Sequence, residues 1–124
     1  DAGGKSLLTE LKQRGYKLAV ISNGGHATRL NILQGLGFSH YFDEIVSSGL
    51  LGISKPNPEI FLHTSRQLGI SAQHCLYVGD HPMNDIQGAT DAGMTAIWLE
   101  GFHDAGAHRP INRIQNLAEI KQFL

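Results

Sequence analysis

Two carboxylates with a turn between them carry the clearest chemistry in this sequence. Asp80 and Asp85 stand at either end of the turn in Leu76-Tyr77-Val78-Gly79-Asp80-His81-Pro82-Met83-Asn84-Asp85. An apolar run climbs to Gly79-Asp80, and the second carboxylate opens a predicted helix. In an α/β protein, ligands gather outside the carboxyl ends of parallel strands, where both aspartates would lie. Carboxylates this close repel each other unless a cation or a lysine sits between them. Mg2+ suits the pair, because it takes hard oxygen ligands and commonly uses one or two protein carboxylates with phosphate oxygens.

Two further stretches could act on the same ligand. The run Lys17–Ser22 ends in Ser22-Asn23-Gly24-Gly25. A hydroxyl, an amide and two glycines make a turn whose backbone N–H groups can approach an anion. The same residue types also make plain strand-to-helix turns. Lys55 precedes Pro56 in Lys55-Pro56-Asn57-Pro58. A single lysine is usually a solvated surface charge. Here the proline favours an extended backbone before it and so gives the lysine a direction.

Other reactive types are less organised. The seven histidines are scattered with no HExxH pattern and no paired cysteines, which argues against a zinc site. His103 and His108 are expected to be surface residues of a loop. The single cysteine, Cys75, has no internal disulfide partner and reads as a buried thiol.

The elements that must hold these residues follow from periodicity. A helix over Ser6–Arg14 presents Leu7, Leu8 and Leu11, with Gly15 beyond its end. Strands are predicted at 17–22, 44–47, 75–78 and 95–99, each short and rich in strand formers. Helices are predicted at 26–36 (with Leu30, Leu33 and Leu36 or Ala27 inward), 58–68, 86–92 and 117–124. Tyr41 and Phe42 read as core anchors. Asn57 and Pro58 suit the start of the third helix, and Asn116 suits the cap of the last. Residues 48–52 read as a loop or small hairpin, and 100–110 as the one long loop. Strands alternating with helices imply right-handed crossovers and a parallel sheet in one domain, 1–124.

Composition agrees with a globular domain: 124 residues, 41% hydrophobic and 17% charged, with a formal net charge of −1. That charge gives no electrostatic case for nucleic acid. No apolar run approaches the ~18 residues of a membrane span. No signal-peptide pattern opens the sequence, so a cytoplasmic protein is expected.

Taken together, Val20-Ile21-Ser22-Asn23-Gly24, then Lys55-Pro56-x-Pro58, then Val78-Gly79-Asp80-x4-Asp85 resemble the second, third and fourth motifs of the haloacid dehalogenase-like (HAD) superfamily. The phrase running from Gly79-Asp80-His81-Pro82 through Asp85-Ile86 to Gly88-Ala89 and Ala92-Gly93-Met94 is similar to that of its phosphoglycolate phosphatase-like hydrolases. The resemblance implies a Rossmann-like three-layer α/β/α core and a Mg2+-dependent phosphatase working through an aspartyl-phosphate. It implies that Ser22, Asn23 and the Gly24 turn hold a phosphoryl group. Lys55 would balance charge, Asp80 would bind Mg2+, and Asp85 would orient Lys55 or a metal-bound water. The substrate would be a small phosphorylated metabolite.

The family's first motif, Asp-x-Asp-x-Thr/Val on a central strand, is not found among these residues, nor is the cap that follows it. The implied sheet order, 3-2-1-4-5, therefore lacks its middle strand. Three closures are expected: direct pairing of 17–22 with 75–78, a partner chain (a homo-oligomer included), or a separate N-terminal piece. The isolated chain is expected to have little activity. The alternatives are a non-catalytic relative that binds metal or phosphate or pairs with a subunit, and a different doubly wound fold. The second lacks the Gly-x-Gly-x-x-Gly it would need.

Overall fold

The computed structural model describes residues 2–106 and 109–124. Asp1 and His108 therefore lie outside the described residues.

The first helix, α1 (Ala2–Gln13), buries Leu7 and Leu11 and ends at Gly15, whose φ of +87° favours a residue without Cβ. It begins a turn earlier than periodicity suggests. Strand β1 is Ala19–Ser22, and α2 is His26–Gly35. On α2, Leu30 and Leu33 are half-buried, whereas Ala27 and Leu36 are exposed. Leu36 is the helix's C-terminal cap and has turned away from the core.

Strand β2 (Glu44–Ser47) runs into a short helix, α3 (Ser48–Leu51), where a loop or hairpin was expected. Gly52, at φ +80°, ends it. Helix α4 (Pro58–Leu68) has Pro58 in its first turn, and the Asn57 side chain accepts from Glu59 N at 2.9 Å. These are the start signals expected there.

Strand β3 (Leu76–Gly79) lies one residue later than predicted. The helix after it starts at Pro82, not near Asp85. Its first part, Pro82–Gln87, is π-helical and continues as α5 (Gly88–Asp91). The early start has two local causes. Pro82 has no N–H to leave unpaired, and His81 Nδ1 accepts from Asn84 N at 3.0 Å. Strand β4 is Thr95–Leu99, as expected. A two-residue strand, β5 (Arg113–Ile114), was not expected. The last element, Leu117–Phe123, is a 3-10 helix with a capping box formed by Asn116 and Glu119.

All strand pairs are parallel, but they form two sheets, β1-β2 and β3-β4-β5. The direct pairing of the first and third predicted strands does not occur. Among the described residues, each of β1 and β3 pairs with a strand on one side only. Between them lies a largely apolar cavity of about 400 Å3, bordered by Leu7, Leu11, Ile21, Tyr77, Val78 and Met94. What joins the two halves is α4. Its Ile60 and Phe61 are fully buried, and the Phe61 ring meets Tyr77 of β3 edge-on at 4.9 Å. The core continues through Ile21, Val46, Ile86, Ala89, Met94 and Trp98.

Candidate active site

The carboxyl ends of β1 and β3 face one polar pocket of about 380 Å3. Ser22, Asn23, Lys55, Asp80 and Asp85 all line it, together with His81, Asn84 and His103. Three stretches far apart in sequence thus meet at the open ends of parallel strands, where ligands bind in such folds.

Asp85 is the anchor. It is 5% exposed, and the widened π turn presents both Asp85 and Ile86 inward. Gly79 makes room for it: a Cβ there would stand 2.3 Å from Asp85 Cβ. Its Oδ2 accepts from His81 N at 3.1 Å, and its Oδ1 accepts from Lys55 Nζ at 2.6 Å. The lysine is the cation expected against this carboxylate, at a charge-assisted distance.

Lys55 is held from its backbone as well. Its N donates to Asn23 Oδ1 at 2.9 Å, and its O accepts from Asn23 Nδ2 at 3.1 Å. The Asn23 amide thus clamps the lysine loop to the end of β1. The Lys55–Pro56 peptide is cis. Gly88 lets this loop approach α5, since a Cβ at 88 would lie 2.9 Å from Pro56 O.

Gly24 departs from expectation. It does not line the pocket; its N–H donates to Ser48 Oγ at 2.8 Å, and its O accepts from Gly49 N at 2.8 Å. The short helix α3, unforeseen in the sequence, takes the donor that was expected to meet an anion. Ser22 is different. Its Oγ is buried and has no hydrogen-bond partner among the described residues. A buried hydroxyl left open is costly, and such groups usually have a ligand or water to bind.

Asp80 keeps a 44% exposed side chain whose nearest basic group is His103 Nε2 at 4.0 Å. Its backbone is fixed from below, as Trp98 Nε1 donates to Asp80 O at 2.9 Å. Among the described residues, no three His, Cys, Asp or Glu side chains form a metal-holding group. Mg2+ does not require one, since one or two carboxylates with water and substrate oxygens suffice. A hard, part-exposed carboxylate at Asp80, with Asp85 lining the same pocket, is a donor set that fits this cation.

Tyr77 and His103 were not expected at the site. The Tyr77 hydroxyl lies 3.3 Å from both Lys55 Nζ and Asp85 Oδ1. Burial, followed by the Asp85 charge, pushes its phenol well above the ordinary range. In sequence it reads as one more strand aromatic. The His103 ring lies tilted against that of His81, centroids 4.9 Å apart, so the loop after β4 reaches the pocket.

Comparison with known proteins identifies the family and the fold. The sequence profile of haloacid dehalogenase-like hydrolases matches residues 2–99. The glyceraldehyde 3-phosphate phosphatase of Methanothermobacter thermautotrophicus is 45% identical over 96% of this chain and 56% of its own length. The chain therefore spans about half of that curated relative. A HAD phosphatase from Thermococcus onnurineus superposes with a TM-score of 0.85 at 34% identity, covering 94% of this chain and 54% of the other. A Bacillus subtilis HAD-hydrolase solved bound to magnesium gives a TM-score of 0.85 at 28% identity, covering 98% and 53%. The chain belongs to the haloacid dehalogenase-like hydrolases.

Proposed function

We propose that this chain is the larger part of the catalytic core of a Mg2+-dependent phosphomonoester phosphatase. The nucleophilic aspartate is supplied by a strand that is not among these residues. The observation that carries the reading is Ser22 Oγ, a buried hydroxyl without a partner among the described residues, in the pocket that also holds Lys55 and Asp80. A phosphoryl oxygen would satisfy it. The Lys55 ammonium supplies positive charge to the same pocket, and phosphoryl transfer depends chiefly on such positioning and charge neutralisation.

The side chains then divide the work. Ser22 donates its hydroxyl proton to a phosphoryl oxygen. Lys55 balances the charge of nucleophile and phosphoryl group. Asn23 holds the Lys55 backbone, and Asp85 holds its ammonium. Asp80 would hold Mg2+, with Asp85 beside it, and the ion would offset phosphoryl negative charge. The cavity between β1 and β3 is flanked by strand edges without a strand partner among the described residues, which suits one more parallel strand ending at the pocket. The substrate class is a small phosphorylated metabolite, as for the three-carbon phosphoester named for the Methanothermobacter relative.

The test is phosphate release from a panel of phosphomonoesters by the product of the complete reading frame. Activity is expected with Mg2+, lost with EDTA, and restored by adding Mg2+ back. Release that EDTA leaves unchanged would remove Mg2+ from the reading. No release from any ester would favour a binding module instead.

A further inference from the structure

The Lys55 ammonium has three N–H donors and no acceptor. Among the described residues it meets three acceptors: Asp85 Oδ1 at 2.6 Å, Tyr77 Oη at 3.3 Å and Ile21 O at 3.3 Å. Because the ammonium can only donate, the Tyr77 oxygen accepts from it. The phenol's own proton is then left for Asp85 Oδ1 at 3.3 Å or Ile21 O at 3.4 Å.

We propose that Tyr77 is a positioning residue whose hydroxyl, as the third leg of this tripod, aims Lys55 into the pocket. A lysine is a point charge on a flexible four-carbon stem. One ion pair fixes its distance from Asp85 but leaves it free to swing. The Ile21 carbonyl ties it toward the turn of Ser22, and the Tyr77 hydroxyl holds it over β3. The hydroxyl's own place is set by packing. Its ring stands edge-on to Phe61 at an interplanar angle of 85°, and Phe61 is fully buried. Phe61 is in turn pressed against Gly88, where a Cβ would lie 2.6 Å from Phe61 Cε2.

This inference rests on Lys55 being the charge-balancing group of the proposed phosphatase, so its test has a readout that needs no turnover. In the complete gene product, Tyr77→Phe keeps the ring and its contact with Phe61 but removes the hydroxyl. The Lys55 ammonium, followed by nitrogen-15 NMR, is expected to exchange protons with water about tenfold faster in this variant, the effect of losing one hydrogen bond to a charged group. kcat is expected to fall about tenfold while KM stays within about twofold, as for a group that acts in the transition state. Tyr77→Leu, which also loses the ring, is the packing control. If Tyr77→Phe matches the wild type in Lys55 exchange and only Tyr77→Leu is impaired, the residue merely packs and the proposal is overturned. Faster Lys55 exchange in a protein that hydrolyses no phosphomonoester would support the tripod and sink the phosphatase reading instead. Cross-relaxation between the Tyr77 hydroxyl and Lys55 ammonium protons in the unsubstituted protein reports the same contact without a variant, and its absence counts against the proposal.

Discussion

At the scale of single residues, the site is governed by what its charges can reach. The Lys55 and Asp85 side chains are only 12% and 7% exposed, at 2.6 Å from each other. Taking one partner from such a pair leaves the other uncompensated, whereas replacing both with apolar groups can be nearly neutral. Asp85→Asn is therefore expected to lower stability by about 3 kcal/mol. The double variant Lys55→Met with Asp85→Leu should recover most of the loss. Urea melts of the unsubstituted protein and these two variants measure this, and a loss below about 1 kcal/mol in Asp85→Asn would place the pair with ordinary surface bridges. Tyr77 makes a separate prediction in pH. Its folded pKa lies above the unfolded value of about 10, so the folded state keeps a proton that the unfolded state releases. The stability it contributes is whole below pH ~10 and falls above it, by up to about 1.4 kcal/mol per pH unit. Tyr77→Phe should lack this alkaline component, and equal slopes in the two proteins would contradict the shift.

At the scale of elements, the positions that matter are those where two elements nearly touch. Gly79 ends β3 against the Asp85 side chain with no space for a methyl group. Gly79→Ala is expected to push Asp85 off Lys55 and cost about 1–3 kcal/mol, as overpacking does. A crystal structure or the Lys55 ammonium signal of the variant would report the broken pair; an intact pair with unchanged stability would mean that the backbone yields freely. Local signals placed most elements well: Asn57-Pro58 opened α4, and the apolar runs at 44–47 and 95–99 became strands without a shift. They failed where tertiary contacts outweighed propensity. The segment 48–52 turned helical as Ser48 and Gly49 bonded Gly24, and the turn after Asp80 widened into a π-helix that carries Asp85 inward.

At the scale of the whole molecule, the two sheets are joined by α4 but not by backbone pairing. Each of β1 and β3 has one side without a strand partner among the described residues. In the 124-residue chain by itself, the amides of β1 and β3 that face the cavity between them are expected to exchange faster than those of β4, which is paired on both sides. The complete gene product should protect them. The 124-residue chain should also release little or no phosphate. Slow exchange at those amides in a monomeric 124-residue chain would mean that the halves close without another strand, and Mg2+-dependent turnover by it would mean that its own residues suffice.

The sequence by itself determined the alternation of the four main strands with the longer helices, and the three motifs, because apolar periodicity, caps and turn residues are local properties. It named Ser22, Lys55, Asp80 and Asp85, all of which line the pocket. The tertiary structure alone decided how they are used. Asn23 clamps a backbone, Gly24 gives its N–H to Ser48, and Tyr77 joins Lys55 and Asp85. Those partners lie between 8 and 32 residues away along the chain, beyond the reach of any local pattern. Only packing across the sheet ends brings them within hydrogen-bonding distance.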